Sequence, residues 1–229
     1  MEEFKRKFIQ NFIEDDRYEL LLDGLLVTLK ISFLSVLIGI VIGFIIAIIR
    51  ATHDKTGKCK ILNIFAKLYI TVIRGTPILV QLLIAYYVIF TAPDVSKIFV
   101  AVMAFGINSG AYVAEIVRSG IMSVDNGQLE AGRSLGFNYF QSMIYIVLPQ
   151  AFKNVLPALS NEFIVLLKET SIAGYIGVQD LTRGGDIIRS RTFEALFPLV
   201  AVALIYLVIV VVLTFLISIL ERRLRSSDH

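Results

Sequence analysis

The 229-residue chain has one cysteine, two histidines and no tryptophan. A single cysteine, Cys59, excludes an internal disulfide and any cysteine-based metal cluster. His53 and His229 sit in polar segments far apart in sequence, so a histidine-based metal or catalytic site is not expected. Charge is also scarce, 18% of residues against about a quarter in soluble globular domains. The formal net charge of +3 is scattered, and no basic patch is interleaved with aromatics, which argues against nucleic acid as a partner. No Gly-x4-Gly-Lys-Ser/Thr phosphate loop occurs, so ATP hydrolysis by that route is not expected of this chain. Linkers, low-complexity tracts and internal repeats are absent, and the length fits one domain.

What the chain has in abundance is apolar sequence: 56% of residues are hydrophobic. The opening "MEEFKRKFIQNFIEDDRYEL" has basic residues without an apolar core after them and does not read as a signal peptide. Apolar runs long enough to cross a bilayer lie at approximately 25–49, 61–90, 98–118, 153–171 and 195–220. The fourth, "KNVLPALSNEFIVLLKETS", is the least obvious, because Glu162 lies in its middle; without it the count is four. The expected fold is all-α, a polytopic membrane protein with five transmembrane helices. Lys and Arg are nearly balanced between the two sides. The cluster Arg50, Lys55, Lys58 and Lys60, together with "ERRLR" near the C-terminus, favours those segments being cytoplasmic, with the N-terminus outside.

Between these runs lies "GQLEAGRSLGFNYFQSMIYIVLP", residues 127–149. Asp125 or Asn126 can cap a helix over approximately 127–140. Gly132 and Gly136 would each cost it about 1 kcal/mol relative to alanine, which suits a helix approached closely by a partner. Leu129, Leu135, Phe137, Tyr139 and Phe140 supply an apolar face. Such a face fits a groove in another protein, or the plane of the membrane surface.

Glu130-Ala131-Gly132, then Gly136, Ile146 and Leu148-Pro149, resemble the EAA loop of bacterial ABC-importer permeases, with Gly132 standing where the family has a second alanine. "RGTPILVQ" (74–81), "AYVAEIVRSGI" (111–121), "GQLEAGRSLG" (127–136) and "LLKETS" (166–171) are similar to the polar amino-acid subfamily of histidine, arginine and glutamine type. The resemblance covers nearly the whole chain. It implies the type I importer permease fold, with 127–140 as a short cytoplasmic coupling helix seated in an ABC ATPase subunit. Glu130, Ala131, Gly132, Leu135, Gly136 and Phe137 would make that contact. It further implies a second permease subunit, identical or not, an extracytoplasmic solute-binding protein, and a place in the bacterial plasma membrane. This chain would carry no cofactor; ATP and Mg would be bound by the ATPase.

Ionisable groups at membrane depth are costly and by default functional. Glu162 lies nine residues past Lys153, about 14 Å into a core of roughly 30 Å if the segment is helical. It is either an anion for a substrate ammonium or guanidinium, or a structural partner for Arg74 or Lys67. Arg74-Gly75-Thr76-Pro77 interrupts the second run, where a broken helix frees backbone groups for a ligand. Thr76 and Gln81 add donors there, although the interruption also reads as a packing kink. Asn108 and Ser109 can reach the same cavity, or serve as glue between helices. Glu115 and Arg118 form an i, i+3 pair, structural or lining an inner gate. By sequence alone residues 168–194 read as a solvated external loop; the resemblance implies that they could form a short gate helix and part of the dock for the solute-binding protein.

These features point to transport of a polar amino acid. An acid at mid-membrane tilts the substrate toward arginine, lysine or histidine, with glutamine or glutamate as the alternative. A rival from another class is an ion-coupled secondary transporter using Glu162 as a proton or sodium site, and a third is a membrane scaffold. The 130–149 pattern separates them, since a secondary transporter has no use for it.

Overall fold

Long apolar runs with few breakers form long helices. In the computed structural model, which describes residues 1–226, helix follows helix and no strand occurs among them. The helices are α1 (Glu2–Phe8), α2 (Tyr18–Thr56), α3 (Lys60–Gly75), α4 (Ile78–Ile84), α5 (Lys97–Met122), α6 (Asn126–Ser134), α7 (Tyr139–Ser142), α8 (Leu148–Glu169), α9 (Leu181–Thr192) and α10 (Leu196–Ser226). His229 lies outside the described residues.

Among the described residues, α2, α5 and α10 are each long and apolar enough to cross a membrane, and α3 with the segment from Ile78 to Ile89 adds a fourth if counted as one bent span. Helix α8 is about 33 Å long at 1.5 Å per residue, but Lys153, Glu162, Lys168 and Glu169 interrupt its hydropathy. The run expected at 61–90 is broken. Pro77 has no N–H to donate and pushes Thr76 into extended backbone (φ −123°, ψ 146°), so α3 stops at Gly75.

The chain divides into two units. Unit 1 comprises Met1–Ser35, Ile78–Phe105 and Ile164–Thr214. Its core gathers Phe12, Leu21, Leu181, Ile188 and Val202. Here the expectation of a solvated loop at 168–194 is corrected. Thr170–Ile176 is a tight 3₁₀ segment and α9 follows it, with Leu181 and Ile188 fully buried. Polar residues and glycines give the segment the look of a loop, but two of the glycines serve packing: a Cβ on Gly185 would lie 2.5 Å from Val202 Cγ2, and one on Gly184 would run into the backbone oxygen of Leu20. The Leu181 N–H donates to Thr28 Oγ1 at 3.1 Å, and Thr192 Oγ1 to Asn11 Oδ1 at 2.9 Å, which fixes both ends of α9.

Asp180 caps α9, accepting from the N–H groups of Thr182 at 3.0 Å and Arg183 at 3.3 Å. Burial pushes its carboxyl up from 3.8 to about 6, against the lowering effect of those hydrogen bonds. A carboxyl raised in the fold binds more protons folded than unfolded between those two values. Its contribution to stability is therefore greatest below about pH 4 and is lost as the pH rises through about 6. Asp180→Asn keeps a cap acceptor and removes the charge. The variant is expected to melt higher than the parent at pH 7 and to lose this part of the slope between pH 4 and 6, measured by thermal unfolding in detergent.

Unit 2 comprises Val36–Pro77, Gly106–Phe163 and the described residues from Phe215 onward. Gly39, Gly43, Ala47 and Ala51 recur at four-residue intervals on α2 and form one small-residue stripe. Ser109 and Val113 of α5 fill the space that Cβ atoms on Gly39 and Gly43 would occupy. Close approach of this kind drives helix association in lipid, where apolar side chains gain nothing by leaving the hydrocarbon. Ala47, Ala51, Val113, Val117, Ile121 and Val155 continue the contact as a buried cluster.

Candidate functional site

Inside unit 2, α5 and α8 bring two of the sequence candidates together. Ser109 Oγ donates to Glu162 Oε1 at 3.1 Å, and Ser109, Glu162 and Asn108 are all buried. Ser109 thus packs against α2 and also holds the carboxylate. A carboxylate is expensive to bury without compensating interactions, and Glu162 is 8% exposed.

The other candidates are placed elsewhere. Arg74, at the end of α3, is exposed and lies over the Tyr112 ring, 5.1 Å from its centroid. Thr76 Oγ1 donates back to the Val72 carbonyl at 2.9 Å and so helps end its own helix. Gln81 belongs to unit 1 and is half-buried on α4.

Glu115 and Arg118 are members of a larger network than their spacing suggests. Arg50 of α2 pairs with Glu115, Arg118 Nη2 meets Glu115 Oε2 at 3.2 Å, and Arg118 Nη1 meets Asp54 Oδ2 at 3.3 Å. His53 Nδ1 lies 3.6 Å from Asp54. Sequence reasoning misses Arg50 and Asp54 as partners. Their signal is present, an i, i+4 basic–acidic pair in the last turns of α2, but nothing in one sequence says which helix faces it.

The 127–149 segment departs from a single helix over 127–140. Asp125 Oδ1 accepts from the Gly127 N–H at 2.6 Å and caps α6. The helix stops at Ser134, and Gly136 turns the chain with φ +88°. Asn138 and Gln141 then start α7 with a reciprocal capping box, both hydrogen bonds at 2.9 Å. The Gly136 N–H bonds to Arg133 O at 3.0 Å and the Phe137 N–H to Gly132 O at 3.1 Å, a glycine-terminated helix end. Leu129 and Phe140 therefore do not share one helical face.

Within the chain the two glycines have different roles. Gly132 is buried, and a Cβ there would lie 2.7 Å from Ile146 Cδ1 and Ser142 Oγ, so its close partner is the chain itself. A Cβ on Gly136 would meet nothing within 4 Å; glycine is needed there for its backbone conformation. Glu130, Ala131, Leu135, Gly136 and Phe137 are exposed, Leu135 by 78%. A leucine that open at the apex of a turn is a ready contact for another protein.

Residues 39–226 match the family described as "Binding-protein-dependent transport system inner membrane component". The chain is 39% identical to the arginine transport system permease protein ArtQ of Bacillus subtilis, over 91% of this chain and 94% of that one. It is 40% identical to the glutamine transport system permease protein GlnP of Escherichia coli, over 90% and 93% respectively. A solved structure described as an amino acid ABC transporter with histidines superposes with a TM-score of 0.83 at 45% identity, covering 93% of this chain and 98% of that one.

Proposed function

Because the chain belongs to the family of inner-membrane components of binding-protein-dependent transport systems, the permease subunits of ABC importers, we propose that it forms the translocation path for a cationic amino acid. The observation that carries the substrate class is the buried Glu162 carboxylate held by Ser109. Glu162 would take the substrate's side-chain cation, with Asn108 and Ser109 beside it. An arginine permease among the relatives supports this reading; a glutamine permease supports the alternative of a neutral polar amino acid.

In this proposal α8 crosses the membrane as the fifth span, the N-terminus lies outside and the C-terminus in the cytoplasm. Two permease subunits pair, a separate ATPase binds ATP and Mg, and an extracytoplasmic binding protein delivers substrate. Leu135 and Phe137, with Glu130 and Ala131, contact the ATPase. Gly132 and Gly136 shape the segment that presents them. ATP and substrate then each favour particular states of one bundle, and their differential binding does the coupling.

Reconstitution of the permease with its ATPase and binding protein in proteoliposomes tests the reading. Uptake of labelled arginine that requires ATP, and exceeds glutamine uptake, is expected. Uptake driven by an ion gradient without ATP would overturn the importer, and preferential glutamine uptake would overturn the substrate class alone.

A further inference from the structure

Between Asp54 and Asp94 the chain has no acidic residue: residues 55–93 hold Lys55, Lys58, Lys60, Lys67 and Arg74 but no Asp or Glu. Three of these cations flank the turn between α2 and α3, which lies within unit 2. Lys58 and Lys60 are exposed and pair with no acid among the described residues. The Lys55 ammonium is buried and has no hydrogen-bond partner among them. Asp54, the acid beside it in sequence, is engaged by Arg118 and His53. A buried charge without a counter-charge is costly, so the turn is short of negative charge.

The lysines lead directly into an apolar surface. Ile61, Ile64, Phe65, Leu68 and Val72 recur at helical spacing, share one face of α3 and are each at least half exposed. Away from that face, Asn63, Ala66 and Ile70 are buried, Ile70 in a cluster with Ala111 and Ala114 of α5. Helix α3 belongs to the bent pair that is apolar enough to cross a membrane, so its uncovered face lies at hydrocarbon depth. A lipid with an anionic headgroup meets both features, with its phosphate beside the lysines and an acyl chain along the face. An acidic soluble partner would meet the lysines alone.

We infer that the α2–α3 turn is a site for an anionic phospholipid. Lys58 and Lys60 hold its phosphate, Lys55 adds to the field from the end of α2, and an acyl chain runs along Ile61, Phe65 and Leu68. Lysines clustered at the end of a membrane helix attract anionic lipid through their combined field. The site uses none of the residues assigned above to substrate or to the ATPase.

The chain has no tryptophan, so Phe65→Trp supplies a single reporter on the apolar face. The 229-residue chain carrying it is titrated in detergent with phosphatidylglycerol brominated in its acyl chains, which quenches tryptophan on contact, and with brominated phosphatidylcholine in parallel. Half-quenching is expected at about tenfold or more lower phosphatidylglycerol than phosphatidylcholine, the scale of two or more lysines acting on an anionic lipid. Lys58→Gln combined with Lys60→Gln is expected to erase most of that preference, and Lys58→Arg combined with Lys60→Arg to keep it. Equal quenching by the two lipids, or an unchanged preference in the Gln pair, would overturn the proposal. No quenching by either lipid would assign the face to a second copy of the chain, and emission restored by the ATPase would assign it to that partner. Emission restored by inorganic phosphate beyond the effect of chloride at equal ionic strength would assign the lysines to a free anion. Each of these three outcomes also overturns the lipid site. None of the readouts involves ATP-driven uptake, so failure of the site leaves the importer reading standing.

Discussion

Glu162→Gln is expected to lower ATP-driven arginine uptake by about thirtyfold or more, while the permease still assembles with its ATPase. The size follows from removing one member of a buried charge pair, about 2 kcal/mol or more. Glutamine is nearly isosteric and can still accept from Ser109, whose bond to Glu162 is 3.1 Å, so the packing of α5 on α8 survives the change. That separates loss of recognition from loss of fold. Ser109→Ala is a useful companion, because Ser109 also fills the space beside Gly39; it is expected to reduce uptake less, by removing a neutral donor to a charge that stays in place. Unchanged arginine uptake in Glu162→Gln would remove this residue from the pocket. Lost ATPase association would instead assign it a structural role.

The second large effect concerns the α6–α7 turn. Leu135→Asp is expected to lower association with the ATPase about tenfold or more and to abolish substrate-stimulated ATP hydrolysis, since a charge replaces an apolar side chain that is 78% exposed in the isolated chain. Gly136→Val is expected to do the same indirectly. A β-branched residue at φ +88° is strained by about 1–2 kcal/mol, and relief of that strain moves Leu135 and Phe137 together. Gly132→Ala is expected to be mild. The atoms its Cβ would meet are the tip of Ile146 and the hydroxyl of Ser142, both able to shift. Co-purification with the ATPase and stimulated hydrolysis read all three. Normal values in both assays for Leu135→Asp would remove the turn from the interface.

The contrast between these glycines shows where one-dimensional reading fails. Propensity assigns both to partner approach, because it registers that glycine is unfavourable in a helix and not why it is there. The reason lies in Ser142 and Ile146 for one, and in a backbone dihedral for the other. The same limit hides α9. Its glycines and charges look solvated in sequence, and only the neighbours, Leu20 and Val202 among them, show that they are contact surfaces. The exposed side of α9 keeps its charges: Asp186 pairs with Arg183 at 2.7 Å and Arg189 at 2.6 Å, and the Arg189 hydrogen bond first of all holds its carboxyl below the usual range.

Local chemistry was enough for the helical membrane class, the break at Thr76–Pro77, the capped polar segment after Asp125 and the oddity of Glu162. Each depends on something a short window of residues contains: apolar run length, a missing N–H, a cap side chain, a charge among aliphatics. Which groups meet across long separations was settled by tertiary packing alone. Ser109 with Glu162, Arg50 with Glu115 and Asp54 with Arg118 are 53 to 65 residues apart. Those pairings depend on how helices rotate and approach one another. A stripe such as Gly39, Gly43, Ala47 and Ala51 permits that approach without naming the helix that makes it.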